Sequence, residues 1–218
     1  MQNELKNELQ NVISGKSEVR YGAIIQSIAG YLKKGAPASS EIAQIKHYKK
    51  QEEQRLEAFI SENSLWVNNL DFSQYVSAGA EQKVYLKDTE HVLKLNDAIY
   101  YQSWQDYFYN LLFHNYFFPD TAYKFLGFVK QNDILYGVVQ QAYVEISSET
   151  DLEKVRTFLF QNGFENTRNN DYLNPDIGII LEDLHDENVL TRHDVLYFID
   201  TVFYTTDTFW KPWFFVWE

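Results

Sequence analysis

Three polar residues near the C-terminal end of the sequence have the types and spacing that phosphoryl transfer needs. Asp183 is followed five residues later by Asn188, and an apolar strand then ends at Asp200. Phosphoryl transfer needs a positioned nucleophile and Mg²⁺ to neutralise charge between phosphates, with little covalent help from protein. Mg²⁺ prefers oxygen ligands and usually takes one or two from carboxylates. We therefore predict that Asp183 accepts a hydroxyl proton and that Asn188 and Asp200 are Mg²⁺ ligands.

Two upstream segments favour this interpretation over an acidic loop followed by an ordinary hairpin. Gly79 and Ala80 form a small-residue turn before a strand, where backbone N–H groups can approach phosphates. Lys94 lies within the next apolar strand, and its ammonium can bind phosphate oxygens as a point charge. Each of these two segments, taken alone, has a simple structural alternative, because short motifs often match by chance. Gly79 would then form a simple β-turn, and Lys94 would extend its ammonium to solvent.

The order of these segments along the chain resembles the order found in the protein-kinase-like superfamily. The segment from Asp183 to Asn188 reads DLHDEN and is similar to the D-L-H-x-x-N loop of aminoglycoside and small-molecule kinases. The wider sequence over about 65–204 looks like the kinase-like domain of bacterial and phage polyvalent proteins. The segments that carry this resemblance are GAEQKVYL, VLKLND, LFHNYFFPDTAYKFLGF, NGFENTRNNDY, LEDLHDENVL and FIDTVFY.

The resemblance implies that ATP and Mg²⁺ are the cofactors and that an unidentified hydroxyl compound is the acceptor. The backbone of Gly79 and Ala80 would cover the phosphates, and Lys94 would bind their oxygens. Gln141 and Ala142 would leave the sheet as a connector whose backbone groups meet an adenine edge. A loop without a ligand is the alternative for this connector.

Four features depart from the protein-kinase pattern. Gly79 is the only glycine of its loop, and Thr201-Val202 stands where Phe-Gly would follow the metal Asp. No Glu occurs between residues 99 and 118, in the helix that should pair with the lysine. Eighteen residues follow Asp200, which predicts neither an activation segment nor a helical substrate platform. These departures keep open the alternative of a nucleotide-binding pseudokinase without turnover. The aromatic segment over 209–217 and the acidic composition keep open a second alternative, a non-catalytic interaction protein.

Composition narrows the class of protein and its partners. The 218 residues are 45% hydrophobic and 17% aromatic, which predicts a compact fold of one to two domains. A net charge of −12 argues against nucleic acid or an anionic membrane as the main partner. The absence of cysteine excludes disulfides and zinc-thiolate sites and is compatible with the cytoplasm. No apolar run resembles a signal peptide or a membrane span. The composition does not predict an oligomeric state.

Hydrophobic periodicity predicts an α+β protein, an abbreviated two-lobed kinase-like fold with an N-terminal helical extension. We predict the extension over residues 1–64, an N-lobe over 65–145 and a reduced C-lobe over 146–218. The extension should contain a helix with its apolar stripe at 5–13, another capped by Ser17, and a third over 41–61. The N-lobe should be a small antiparallel sheet with one helix: strands at 75–77, 84–87, 92–95, 125–131 and 134–141, and a helix over 98–118. The C-lobe should contain a helix over 151–161 capped by Thr150, strands at 172–174 and 178–181, and the hairpin with strands at 189–190 and 195–199.

Overall fold

The computed structural model describes residues 2–34, 42–78 and 82–211. These ranges contain six α-helices and antiparallel sheets, which confirms the predicted α+β class. Two compact units are present, one formed by Glu18–Tyr143 and the other by Met1–Ser17 with Val144–Glu218. The predicted division at 64/65 and 145/146 stays a prediction.

The first unit is built on a five-stranded antiparallel sheet with the order β1-β2-β3-β5-β4. Its strands are β1 (Tyr75–Ala78), β2 (Gln82–Leu86), β3 (His91–Asn96), β4 (Lys124–Gln131) and β5 (Ile134–Ala142). Each corresponds to a predicted strand, so the change from helical to alternating periodicity near residue 65 is a correct signal. The predicted phosphate-covering turn, Gly79 and Ala80, lies between β1 and β2 but outside the described residues.

Both faces of this sheet are covered, and β3 is therefore buried almost throughout. One face carries a cluster of alternating apolar residues: Tyr85, Leu93, Leu95, Tyr136 and Val138. The other face carries aromatic rings from α4 (Trp104–Phe117) and β4. Phe108 packs edge-on against Phe125 and Phe128, with ring centroids 5.3 and 6.1 Å away. Such edge-to-face pairs add to the free energy that burial alone contributes.

The helix predicted over 98–118 begins only at Trp104, because local side-chain hydrogen bonds hold the preceding residues in turns. Asn96 Oδ1 accepts from the Ala98 N–H at 2.7 Å, and Asp97 Oδ1 accepts from the Ile99 N–H at 3.0 Å. Ala98 has a φ of 56°, a left-handed conformation that a helix does not contain. Ser103 then caps α4, accepting from the Asp106 N–H at 3.0 Å.

Two helices of the N-terminal region pack within the same unit. α2 (Gly22–Lys33) contacts α4 and β4, and α3 (Ile42–Glu62) contacts α4. The predicted start of α2 near Ser17 is wrong, because Tyr21 adopts a left-handed φ of 56° and the helix begins at Gly22. The third predicted helix is confirmed by α3.

The described part of the second unit contains two helices of ten or more residues, α1 (Gln2–Ile13) and α5 (Leu152–Gln161), with short strands. Helix α5 and the hairpin were predicted for the C-lobe, and α1 for the N-terminal extension. Its other elements are β6 (Glu165–Arg168), β7 (Asp171–Asn174), β8 (Ile179–Glu182), β9 (Val189–Arg192), β10 (Val195–Phe198), β11 (Val202–Thr205) and α6 (Asp207–Trp210). Four strands form a sheet with the order β11-β8-β7-β6, and β9 and β10 form a hairpin. Strands β6 and β11 and helix α6 are absent from the sequence prediction.

Two details of this unit show how its helices are held. Asp151, and not the predicted Thr150, caps α5, accepting from the Glu153 N–H at 3.0 Å. Thr150 instead donates its hydroxyl to the Val189 carbonyl at 2.6 Å, so it links the start of α5 to the hairpin. Gln10 of α1 donates to the Phe209 carbonyl at 2.5 Å, which anchors α1 to α6.

Within the described ranges, no helix has the length and apolar character needed to cross a membrane.

A buried carboxylate joins α3 to the start of α4. Glu52 is fully buried, and its carboxylate accepts from the N–H groups of Trp104 at 2.8 Å and Gln105 at 3.3 Å. Burial raises the pKa of Glu52 to about 7; the two N–H donors and Arg55 oppose the rise and Asp106 adds to it. The carboxylate satisfies N–H groups that have no partner within the helix.

This pKa predicts how stability depends on pH. The ordinary pKa of 4.5 is raised to about 7 in the folded protein, so between these values the folded state binds a proton that the unfolded state releases. The free energy of unfolding should therefore fall as pH rises through this window, by up to ~3 kcal/mol from this group. Urea unfolding from pH 4.5 to 8 should show a flatter profile for Glu52→Gln than for wild type.

Glu62→Gln is the matched control for this experiment, because Glu62 is an exposed carboxylate on the same helix. Its profile should follow that of wild type. Equal pH dependence in Glu52→Gln and wild type would contradict the assignment of the proton to Glu52.

Candidate functional site

Paired strands close both sides of the loop that contains Asp183 and Asn188. β8, which ends immediately before Asp183, pairs with β11, and Glu182 lies opposite Val202. β9 and β10 pair so that Val189 lies opposite Phe198. Because both pairings are antiparallel, the start of the loop lies beside the residues that precede β11. The fold of this unit thus gathers three of the predicted site residues, Asp183, Asn188 and Asp200.

Asn188 connects the other two residues through its side chain and its backbone. Its Nδ2 donates to the Asp183 carbonyl at 2.8 Å and to Asp183 Oδ2 at 3.0 Å. Its own carbonyl accepts the N–H groups of Ile199 at 2.9 Å and Asp200 at 3.3 Å. The amide nitrogen is used within the loop, and the amide oxygen is the atom that Mg²⁺ prefers.

His185 completes the hydrogen bonds inside the loop. Its backbone N–H donates to the Asp183 carbonyl at 3.0 Å, and its carbonyl accepts the Asn188 N–H at 3.0 Å. In the ring, Nδ1 accepts the Glu187 N–H at 3.3 Å, and Asn188 Nδ2 lies 3.1 Å from the ring Nε2. That nitrogen lies 3.4 Å from Asp183 Oδ1.

Asp171 is a contributor to the site that sequence reasoning missed. Asp183 has a left-handed φ of 66°, an unusual conformation for a residue other than Gly, Asn or Asp. Asp171 Oδ1 accepts the Asp183 N–H at 3.1 Å, and the Asn170 carbonyl accepts the Leu184 N–H at 3.2 Å. The β6–β7 hairpin therefore holds the first residues of the loop through these two hydrogen bonds. The only sequence signal was the polar turn Asn169-Asn170-Asp171 within a segment of the family resemblance.

The loop is electrostatically negative and suited to a cation. Burial raises the pKa of Glu182, and the charges of Asp171 and Asp183 add to the rise. In the described part of the chain, no group of three or more His, Asp or Glu side chains could hold a metal ion. A metal at Asn188 and Asp200 would thus need phosphate or water oxygens to complete its ligands, which is how Mg²⁺ usually binds.

Lys94 and the predicted connector belong to the other unit and lie on neighbouring strands. Lys94 is 4% exposed, and on β3 it lies opposite Val84 of β2 and Val139 of β5. Gln141 lies opposite Val92 on the same pair of strands. The last β4 partner of β5 is Lys124, opposite Gln140, so β5 extends past β4 at Gln141 and Ala142.

The side chain of Gln141 has a structural task at this position. It is 1% exposed, and its Nε2 donates to the Thr121 carbonyl at 2.8 Å. A cleft of about 70 Å³ borders Gln141 and Ala142. Ligand pockets usually exceed about 300 Å³, so this cleft is smaller than a usual ligand pocket.

Asp106, the only carboxylate of α4, acts at the start of that helix. It accepts the Ser103 hydroxyl at 2.7 Å and its N–H donates to Ser103 Oγ at 3.0 Å. Burial raises the pKa of Asp106, while Ser103 and Lys49 oppose the rise. The helix therefore uses its one acidic side chain for capping.

Comparison with known families agrees with this geometry. The family described as "Serine/Threonine/Tyrosine Kinase found in polyvalent proteins" matches residues 49–207, so the chain belongs to this family of kinase-like domains. The match begins inside α3 and spans every predicted site residue. The predicted resemblance to polyvalent-protein kinases is thus confirmed, and the similarity of the loop to aminoglycoside kinases stays an interpretation. Neither curated proteins nor solved structures include a match to the chain.

The contact between Asp171 and Asp183 predicts a local change that needs no ligand to detect. Asp171→Ala removes a charged acceptor and should lower the free energy of unfolding by ~1–2 kcal/mol. The amide hydrogens of Asp183 and Leu184 should also exchange faster with solvent, measured residue by residue by NMR. Asp171→Asn keeps an oxygen acceptor and should retain most of the protection. Unchanged exchange of the Asp183 amide in Asp171→Ala would show that the hairpin does not hold the loop.

Proposed function

We propose that the chain is an ATP- and Mg²⁺-dependent phosphotransferase that acts on a hydroxyl acceptor. One observation carries the proposal: Asn188 binds the backbone and carboxylate of Asp183 through its side chain and holds the Asp200 N–H through its carbonyl. A candidate base and two candidate metal ligands thereby share one hydrogen-bonded loop. Membership of a kinase-like family supports the same chemistry.

In the proposed reaction Asp183 accepts the proton of the acceptor hydroxyl. Its side chain is 56% exposed, so an acceptor can approach it. The bonds from Asn188, together with the nearby His185 ring, limit the orientations of the carboxylate, which favours a productive geometry. The donor set of Asn188 amide oxygen and Asp200 carboxylate fits Mg²⁺, because both are hard oxygen ligands. When bound with ATP, Mg²⁺ neutralises charge between the phosphates.

The nucleotide would be bound by residues of the other unit. Lys94 would contact phosphate oxygens, and the backbone of Gly79 and Ala80 would cover them. The backbone of Gln141 and Ala142 would meet the adenine edge. Support for this connector role comes from β5, which runs past the end of β4 and leaves Ala142 without a β4 partner.

The class of acceptor and the cellular location are also part of this proposal. The net charge of −12 supports a small or cationic acceptor and speaks against nucleic acid and anionic membranes as partners. The lack of cysteine supports a cytoplasmic location. The polyvalent-protein family supports a bacterial mobile-element context.

A second candidate function is nucleotide binding without turnover. The observation in its favour is the use of Asp106 as a cap, since protein kinases require a helix Glu paired with the strand lysine for transfer. Binding without detectable turnover in the wild type would select this function.

ATP with Mg²⁺ should stabilise the protein against heat. A ligand that binds only the folded state at a hundredfold excess over its dissociation constant contributes about 2.7 kcal/mol. For a chain of this size the Tm should rise by roughly 5–10 °C in a calorimetric scan. EDTA should abolish the rise if Mg²⁺ takes part. No rise and no heat of binding would favour a non-catalytic interaction protein.

Asp183→Asn should separate catalysis from binding. The amide keeps the size of the side chain and an oxygen for Asn188 but cannot accept the proton, so turnover should fall about a hundredfold or more. Affinity for ATP with Mg²⁺ should stay nearly unchanged. Asp186→Asn, at an exposed carboxylate of the same loop, is the control and should retain turnover. Full activity in Asp183→Asn would remove Asp183 from the mechanism.

A further inference from the structure

Lys94 lies against an aromatic ring within its own unit. Its Nζ is 5.6 Å from the centroid of the Tyr123 ring, inside the roughly 6 Å range in which a cation interacts with the face of a ring. Lys94 and Tyr123 are only 4% and 3% exposed. Because water screens little at such a site, the contact should be stronger than the same pair on a surface.

A neutral histidine of α4 supports the ring. The centroids of His114 and Tyr123 are 4.3 Å apart. His114 Nε2 lies 3.0 Å from the Thr121 carbonyl, which can only accept, so this nitrogen carries the hydrogen. Burial lowers the pKa of His114 to about 3, and the charge of Lys94 adds to the effect. His114 therefore adds no charge beside the Tyr123 ring.

Buried amides fix the position of Tyr123. Asn115 Oδ1 accepts the Tyr123 N–H at 2.7 Å, and Asn115 Nδ2 donates to the Tyr123 carbonyl at 2.8 Å. The Thr121 carbonyl, two residues earlier, also receives the side chain of Gln141 at 2.8 Å. The ring thus has a position set by α4 on one side and by the end of β5 on the other. A ring held in this way can order a lysine at little further entropic cost.

We propose that Tyr123 is a positioning residue for Lys94 and orders its ammonium against the face of the ring. The proposal rests on the proposed function, because Lys94 must be the phosphate-binding lysine.

The geometry can be tested without nucleotide. Protons placed over a ring face shift upfield, so the Hε signals of Lys94 should be upfield of those of other lysines. Side-chain NMR with labelled lysine would measure them, and Lys94→Arg would assign them. Tyr123→Phe keeps the ring and should keep the shift, whereas Tyr123→Leu keeps apolar bulk and should lose it. An ordinary shift in the folded wild type would overturn the proposal.

Affinity for ATP with Mg²⁺ tests whether this geometry serves binding. Tyr123→Leu should bind about three- to thirtyfold more weakly, the range that cation–π energies span, and Tyr123→Phe should bind nearly as wild type. Equal affinity in all three proteins, with binding lost in Lys94→Ala, would overturn the positioning role and leave the proposed function standing. If wild type binds no nucleotide, the proposed function fails and Tyr123 has no such role.

Discussion

The hydrogen bonds of Asn188 are the interaction on which the candidate site depends. Asp183 adopts a left-handed backbone that costs roughly 1–2 kcal/mol for most residues. A hydrogen bond to a charged group contributes about 1.5–3 kcal/mol. The Asp183 carboxylate accepts one such bond from Asn188, and the Asp183 N–H donates another to Asp171. These bonds stabilise the left-handed conformation of Asp183, which Asp tolerates better than most residues. The same Asn188 carbonyl accepts the Asp200 N–H, which makes the metal-ligand prediction and the base prediction parts of one structure.

The surroundings of Lys94, the proposed phosphate-binding lysine, are aromatic and buried. The Tyr123 ring lies against Lys94, and His114 and Asn115 hold Tyr123 in place, all within one unit. Two carboxylates bind the start of α4. Asp106 caps α4 with Ser103, and Glu52 of α3 binds the first N–H groups of the same helix. Glu52 is fully buried and Asp106 is half-buried, and both fix the start of α4, while the residues near its end, His114 and Asn115, fix Tyr123.

Elements with a strong local signal could be predicted from the sequence. Alternating apolar residues predicted the five strands of the first sheet, and the Asp183-to-Asn188 spacing predicted a loop whose hydrogen bonds are observed. Errors arose where a local bond overrides periodicity, as at Ala98, where Asx turns delay α4 until Trp104. The role of Asp171 could not be predicted, because it depends on a hairpin that brings together residues twelve apart in sequence. The sequence analysis did not predict β11 for a similar reason, because a strand of four residues is recognised only from its pairing with β8.

Paramagnetic broadening by Mn²⁺ in place of Mg²⁺ is the most direct test of the claim that Asn188 and Asp200 form the metal site of a phosphotransferase. Mn²⁺ accepts the same oxygen ligands as Mg²⁺, and its unpaired electrons broaden only nearby NMR signals. With ATP and Mn²⁺, the side-chain amide of Asn188 and the backbone amides of Asp183 and Asp200 should broaden strongly. In Asp200→Asn the same addition should broaden them much less. Broadening centred on other residues, or equal broadening in wild type and Asp200→Asn, would contradict the assignment.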